Sequence, residues 1–465
     1  MGPQVDRMRR AFVSALRAAR RWKLVAAPAL LLLATAAAPP QPGASGRFLA
    51  LSDIHFDPFA DPAIVPRLIA EGTDRWPGIF ASSRMTAPAA AGSDTNYPLL
   101  DSTLKAASAA AGPERYDFVL LTGDLLRHDF EDQFAKYGGA DKAALSAFTL
   151  KTMAFVNREL ERRFRAPLIE ALGNNDNDCG DYQPRPGAPF LAGTAATLPA
   201  LAGNRQALAD FAAGGNYAFV HPRTPNHLFL VLDSVFWSPK YRDACGASGD
   251  EAAGSAQLAW LEWQLFRARQ RGQTVSLVMH IPPGINPYES TAAKPVPFWT
   301  DSWRDRFLAI AQAYAPILTA GYAGHTHMDD FRILSGPAGP IFAIRITPSV
   351  TPLFGNNPTF SVMRYTVADA RPTGYTSYVF QSGAWKPEYE FARTYGYDSY
   401  SAANLTALSA AIRAGGNDRA AYARFYPSGA KSPITDANAA IYACAQTEIL
   451  PAGFAACVGG APRPK

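Results

Sequence analysis

The chain has few cysteines and few histidines: 465 residues hold four of the first and seven of the second. Cys179, Cys245, Cys444 and Cys457 lack Cys-x-x-Cys spacing, which argues against a structural zinc knot. An even count in an exported chain favours disulfides. Sequence nearness suggests Cys179–Cys245 and Cys444–Cys457, although four cysteines allow three pairings. No internal repeat is present, and no low-complexity block beyond the first 46 residues. The apolar run at residues 24–38 is shorter than the roughly 20 residues a membrane-spanning helix needs. It follows Arg7, Arg9, Arg10, Arg17, Arg20, Arg21 and Lys23 and precedes small residues and Pro39-Pro40. Basic, apolar, then small is the layout of a cleaved signal peptide rather than an uncleaved anchor, with Ala36 or Ala38 as cleavage points. The paired arginines resemble twin-arginine export signals, and no cysteine near the cleavage region offers a lipoprotein anchor. The expected location is periplasmic or secreted, with no transmembrane segment after cleavage.

Bulk positive charge is missing too. The net charge is +5, but seven basic and one acidic group lie before Arg47, leaving the remainder at −1. The formal basicity belongs to the leader, and no bulk footprint for nucleic acid or an anionic membrane remains.

What is present is 48% apolar residues, enough for a sizeable core. Strand-like and helix-like segments alternate from Arg47 to about Phe380, predicting an α/β domain. Asp101 is the expected N-cap of a helix over 102–111, ended by Gly112. Longer helices are expected over Lys142–Phe164, 254–270 and 302–314. Segments 331–334, 341–346, 360–367 and 376–381 lack intervening helices and suggest hairpins or a meander. Three long loops are expected at 57–96, 180–203 and 282–300. Ala-rich helical segments follow Trp385. The expected organisation is a signal peptide over 1–38, a linker over 39–46, a catalytic domain over 47–384 and a C-terminal helical subdomain over 385–465.

Five short motifs carry the chemistry: Asp53-Ile54-His55, Gly123-Asp124, Gly173-Asn174, His280 and Gly324-His325-Thr326-His327. Each follows a strand-like or apolar run, and ligands in α/β proteins gather at the carboxyl ends of strands. A two-metal hydrolase needs a carboxylate to bridge two divalent cations, completed by neutral imidazoles and an amide oxygen. Asp53, Asp124, Asn174, His55, His280, His325 and His327 are that kind of donor set. Five of the seven histidines lie in or beside these motifs, the fifth being His128; His221 and His227 flank a Pro-rich turn.

In this order, the motifs resemble the calcineurin-like metallophosphoesterase superfamily. Ser52-Asp53-Ile54-His55-Phe56-Asp57-Pro58, His280-Ile281-Pro282-Pro283-Gly284 and Ala323-Gly324-His325-Thr326-His327 resemble its acid-sphingomyelinase-like phosphodiesterase branch. The resemblance covers about residues 47–400 and leaves no room for a saposin domain before the catalytic domain. It implies a β-sandwich flanked by helices, in four α/β/β/α layers. It assigns one metal to Asp53, His55, Asp124 and His327, and a second to Asp124, Asn174, His280 and His325. It implies hydrolysis of a phosphodiester by in-line attack of a hydroxide held between the metals, with zinc expected and iron or manganese admissible. His128 matches a histidine that contacts phosphate in that branch and suits an acid role; the competing role is a partner that orients Asp124.

One position departs from the pattern. The usual Gly-Asn-His is Gly173-Asn174-Asn175-Asp176 here, so an amide stands where an imidazole is usual. Asn175 can bind phosphate but cannot donate a proton as imidazolium does. The variant string also resembles vacuolar endopolyphosphatases, whose leaving group is a phosphate. Substrate candidates are therefore a phosphoester small molecule, a nucleotide, a lipid headgroup or polyphosphate. Competing readings are a polyphosphatase or phosphomonoesterase with the same metals, and a non-catalytic metal-binding module. Tyr182, Tyr288, Phe298, Trp299 and Trp303 are candidate pocket residues, with Cys179 as a staple for the loop after Asn174.

Overall fold

The computed structural model describes residues 43–242 and 251–460. The expected signal peptide and Cys245, and with it the Cys179–Cys245 pairing, lie outside the described residues. The Cys444–Cys457 disulfide is present.

Two six-stranded mixed sheets face each other. The first runs β12 (Ala384–Glu390), β11 (Pro372–Gln381), β10 (Thr359–Thr366), β1 (Ser45–Leu51), β2 (Val119–Leu121), β3 (Leu168–Glu170). The second runs β4 (Tyr217–Val220), β5 (His227–Val231), β6 (Thr274–Val278), β7 (Leu318–Ala323), β9 (Gly339–Ile346), β8 (Asp330–Gly336). Strands β1, β2 and β3 are parallel, as are β5, β6, β7 and β9. They are covered on both faces, which is why β2, β7 and the second half of β1, from Phe48 on, read as unbroken buried runs rather than alternating ones. Phe48 and Phe118 stack at 4.4 Å in one sheet and meet Tyr322 and Phe229 of the other edge-on at 5.6 and 5.2 Å. Helices cover the outer faces: Lys142–Phe164 packs on β3, Glu251–Gln270 on β5 and β6, and Ala402–Ala414 and Ala439–Thr447 on β8.

The helix over Lys142–Phe164 has the expected bounds, capped by Asp141, whose carboxylate accepts from Ala143 N at 2.9 Å. The expected cap at Asp101 is wrong. That helix spans Tyr97–Ala111 and is capped by Asn96, which accepts from Leu99 N at 3.1 Å. Pro98 suits the first turn, where no N–H is needed, and Asp101 inside the helix pairs with Lys105 at 2.6 Å. Two of the expected loops carry helices, at Val65–Ala70, Trp76–Ala81 and Pro189–Ala195; all are too short to show a clear 3.6-residue pattern. The late β run forms a hairpin (β8–β9) in one sheet and a meander (β10–β11–β12) in the other.

Candidate metal centre

The expected ligands project from loops at the carboxyl ends of β1, β2, β3, β6 and β7. Parallel pairing brings these ends together: Leu51 lies beside Leu121, Leu121 beside Glu170, and Val278 beside Tyr322. The loops then bond to one another. Asp53 N donates to Gly123 O, His55 N to Asp124 O and Gly324 N to His280 O, each at 2.9 Å. Asp53, His55, Asp124, His325 and His327 all hold left-handed backbone, with φ between 45° and 73°. Such residues cost of order 1–3 kcal/mol each and concentrate at functional sites. Gly123, at φ 95°, leaves no room for a Cβ, which would lie 2.7 Å from His280 Nδ1. A Cβ on Gly173 would run into the Asp124 carboxylate.

All seven expected ligands meet. Asp53, His55 and Asp124 form one cluster, and Asp124, His280 and His325 a second, so Asp124 is common to both. His327 Nε2 lies 3.3 Å from Asp53 Oδ1, and Asn174 Oδ1 lies 3.0 Å from His280 Nε2. The Asn174 amide nitrogen is turned away, donating to Asp181 at 2.6 Å.

The donor chemistry tests whether cations fit. His55 Nδ1 faces Leu126 O at 2.9 Å and His280 Nδ1 faces Thr122 O at 2.7 Å. A carbonyl only accepts, so each Nδ1 carries the proton and a neutral ring presents a lone pair at Nε2. The His280 lone pair then meets Asp124 Oδ2 at 3.1 Å and Asn174 Oδ1 at 3.0 Å. The His55 lone pair meets His327 Nε2 at 3.2 Å and Asp124 Oδ2 at 3.5 Å. Acceptors converge on acceptors, an arrangement that requires positive charge between them. Two divalent cations satisfy it.

Without cations, protons take that part. Burial disfavours charge on His280, but Asp124 outweighs it and raises the pKa to about 10. Burial likewise opposes, and Asp124 again overcomes, the charging of His55, which rises to about 9. Burial holds His325 and His327 neutral, at about 3. Burial alone would raise Asp53, but His327 and His55 bring it down to about 2. Asp124 lies well below the carboxylate range because His280 and His55 outweigh its burial.

His128 stacks on His55 with ring centroids 3.9 Å apart. Its Nδ1 lies 3.0 Å from Asp94 Oδ1, and its backbone N donates to Asp94 Oδ2 at 3.1 Å. Asp94 was not expected; it lies inside the 57–96 segment with no motif around it. Asn175 donates to both Asp124 oxygens, from N at 2.8 Å and from Nδ2 at 3.0 Å. Asp176 also went unpredicted as a functional residue. Its carboxylate accepts from the backbone N of Asp124, Leu125, Leu126 and Gly173, locking two ligand loops together.

The cluster opens into a 510 Å³ cavity walled by Tyr182, Lys240, Tyr288, Glu289, Phe298 and Phe354, with His128 at its edge. Tyr182, Tyr288 and Phe298 are therefore in the wall, as expected. Trp299 and Trp303 are not: both pack into the core under the second sheet, Trp299 edge-on to Trp237 at 4.7 Å. Lys240 and Phe354 carry no sequence signal of their own; the fold brings them in from separate loops.

The sequence model of calcineurin-like phosphoesterases matches residues 46–329. Sphingomyelinase phosphodiesterase D of Dictyostelium discoideum is 26% identical over 329 residues, covering 66% of this chain and 67% of that protein. Acid sphingomyelinase-like phosphodiesterase 3b of Homo sapiens is 24% identical over 385 residues, covering 77% and 78%. Cyclic GMP-AMP phosphodiesterase SMPDL3A of Homo sapiens is 23% identical over 264 residues, covering 52% and 55%.

Proposed function

Because the chain belongs to the calcineurin-like phosphoesterase family and is a hydrolase of phosphoric esters, we propose that it cleaves phosphodiesters with two divalent cations. The convergence of unpartnered lone pairs on Asp124 carries this reading. Asp53, His55, Asp124 and His327 would hold one ion, and Asp124, Asn174, His280 and His325 the other. When bound, such a pair supplies Lewis acidity to phosphoryl oxygens and makes water nucleophilic at neutral pH.

The chain's own groups do the rest. Asp94 holds His128 by Nδ1 and leaves Nε2 for the cavity, where it can bind a phosphoryl oxygen or protonate the leaving oxygen. Asn175 fixes the orientation of the Asp124 carboxylate through its amide. The preference for diesters rests on the relatives, which are named as phosphodiesterases. Zinc suits the mixed nitrogen and oxygen donors. Export to the periplasm or medium is supported by the basic–apolar leader and the Cys444–Cys457 disulfide.

A phosphoanhydride substrate is the second reading. Asn175 supplies no acid, and Lys240 adds a cation to the cavity wall, which suits an anionic leaving group. Hydrolysis of bis-p-nitrophenyl phosphate, p-nitrophenyl phosphate and tripolyphosphate, with and without chelator, tests both. Chelator-sensitive turnover, fastest on the diester, is expected. Preference for tripolyphosphate would replace the first reading by the second, and no turnover of any by metal-loaded protein would refute both.

A further inference from the structure

A second, roomier cavity lies away from the metal centre. Its 710 Å³ are bounded by Arg158, Arg162 and Arg165 over a floor of Pro167, Leu168 and Phe219. A second groove, of 190 Å³, is bounded by Arg267 and Arg271 beside Val220 and Leu228. Strand β4 separates them. It is the edge of its sheet, and its alternating side chains turn Phe219 into one groove and Ala218 and Val220 into the other. Leu168 and Leu228 lie at the starts of β3 and β5, whose other ends lie on the side of the metal centre. This face is therefore at the opposite end of the molecule, separated by strand lengths of roughly 10–20 Å.

Three features coincide here. First, positive charge is in excess: Glu161 is the carboxylate of the first groove and Asp210 that of the second. Among the described residues Arg165, Arg267 and Arg271 have no carboxylate partner at ion-pair distance. Second, large apolar side chains stand in solvent. Val220 is 50% exposed, and on the outward face of the helix Glu251–Gln270 beside Arg267, Trp263 is 55% and Phe266 39% exposed. Of the other exposed apolar residues, Tyr288 and Phe354 line the catalytic cavity, Met85 borders a separate pocket, and Leu450 precedes the helix Pro451–Gly459. Third, Trp263 and Phe266 stack on each other at 5.7 Å and are not among the buried core residues.

Basic residues at helix C-termini answer the helix dipole, and that accounts for some of the arginines. It does not account for a tryptophan and a phenylalanine turned outward in the turn before Arg267, where Glu262 is the adjoining carboxylate. Exposed aromatic rings beside arginines, whose stems can lie along apolar surface while the guanidinium stays at the headgroups, match a membrane interface. We propose that this end of the molecule, from Arg165 across β4 to Trp263 and Arg267, docks on an anionic lipid bilayer. The catalytic cavity then opens away from the membrane, toward water-soluble substrates.

Flotation of the full, metal-loaded chain with phosphatidylcholine vesicles and with mixed phosphatidylcholine–phosphatidylglycerol vesicles tests this. Hydrogen exchange at residues 217–220 and 260–271 provides a local readout that the basic leader cannot mimic. Binding to the mixed vesicles, weakened by salt, with protection in both segments, is expected. The pairs Arg267→Gln/Arg271→Gln and Trp263→Ser/Phe266→Ser should each weaken partitioning by about tenfold while leaving the melting temperature unchanged. Absent protection, equal binding to neutral vesicles, or wild-type binding by either pair would overturn the proposal. Loss with the arginine pair alone, together with heparin competing for the face, would show a general polyanion site instead.

Discussion

Asp94 illustrates how much a single carboxylate can decide. It takes the His128 backbone N and faces Nδ1, so it sets both where the imidazole sits and which nitrogen is free. Asp94→Asn should therefore leave metal content intact but slow hydrolysis of aryl diesters with poor leaving groups by about 10²-fold, and of good ones far less. A leaving-group series of kcat/KM measures this, and an equal loss throughout would rule out an acid role for His128. Asp124→Ala should cost at least about 10²-fold on every substrate and lower bound metal by elemental analysis. The two histidines outside the centre behave oppositely to His55 and His280. His221 Nδ1 accepts from the backbone N of Arg223 and of Thr224, both at 3.1 Å. Burial holds His221 at about 4 and, with His221 nearby, His227 at about 3. The unfolded chain binds these protons below about pH 6.5 and the native one does not. Stability should thus fall as pH drops from about 6.5 toward 4, by up to about 1.4 kcal/mol per unit per histidine. His221→Asn keeps an acceptor and should flatten that slope in denaturant melts across the range.

At the scale of elements, the helix Lys142–Phe164 is legible because its 23 residues hold several turns of pattern; Asp141→Ala, which removes the cap found in the structure, should cost about 1 kcal/mol, read by denaturant unfolding. Short helices such as Val65–Ala70 were invisible because six residues hold less than two turns of pattern. The Cys444–Cys457 bond closes a loop of sequence separation 13 between the last two helices, where Phe454 packs with Ile285 of the cavity-side loop. Cys444→Ala/Cys457→Ala should lower stability by up to about 3 kcal/mol, and hydrogen exchange should rise first over 439–459. Uniform loosening would show that this staple acts globally instead.

At the scale of the whole molecule, the proposed pair of cations would couple the two sheets. The candidate ligands follow three strands of one sheet and two of the other, so cations would tie the sandwich together at its carboxyl ends. Ions that bind only the folded chain add about 2.7 kcal/mol each at a hundred times Kd. Chelation should accordingly lower the melting temperature, restored by adding metal back; an unchanged melting point would mean that the ligands are held without ions. The sum of charges was a poor guide at this scale. Residues 47–465 carry −1, yet arginines from 158–165 and 267–271 share one end of the fold, because parallel strands place the C-termini of their covering helices together.

The amino-acid sequence alone determined which side chains make up the candidate donor set, in what order, and that each follows a strand or apolar run. Those facts are local: a short motif after a β run needs no partner to be recognised. The tertiary structure decided what depends on separation in the chain. Asp94 finds His128 across 34 residues, Asn175 finds Asp124 across 51, and β4 becomes an edge only once the sheet order exists. Such contacts are set by strand pairing and sheet packing, which no stretch of sequence specifies by itself.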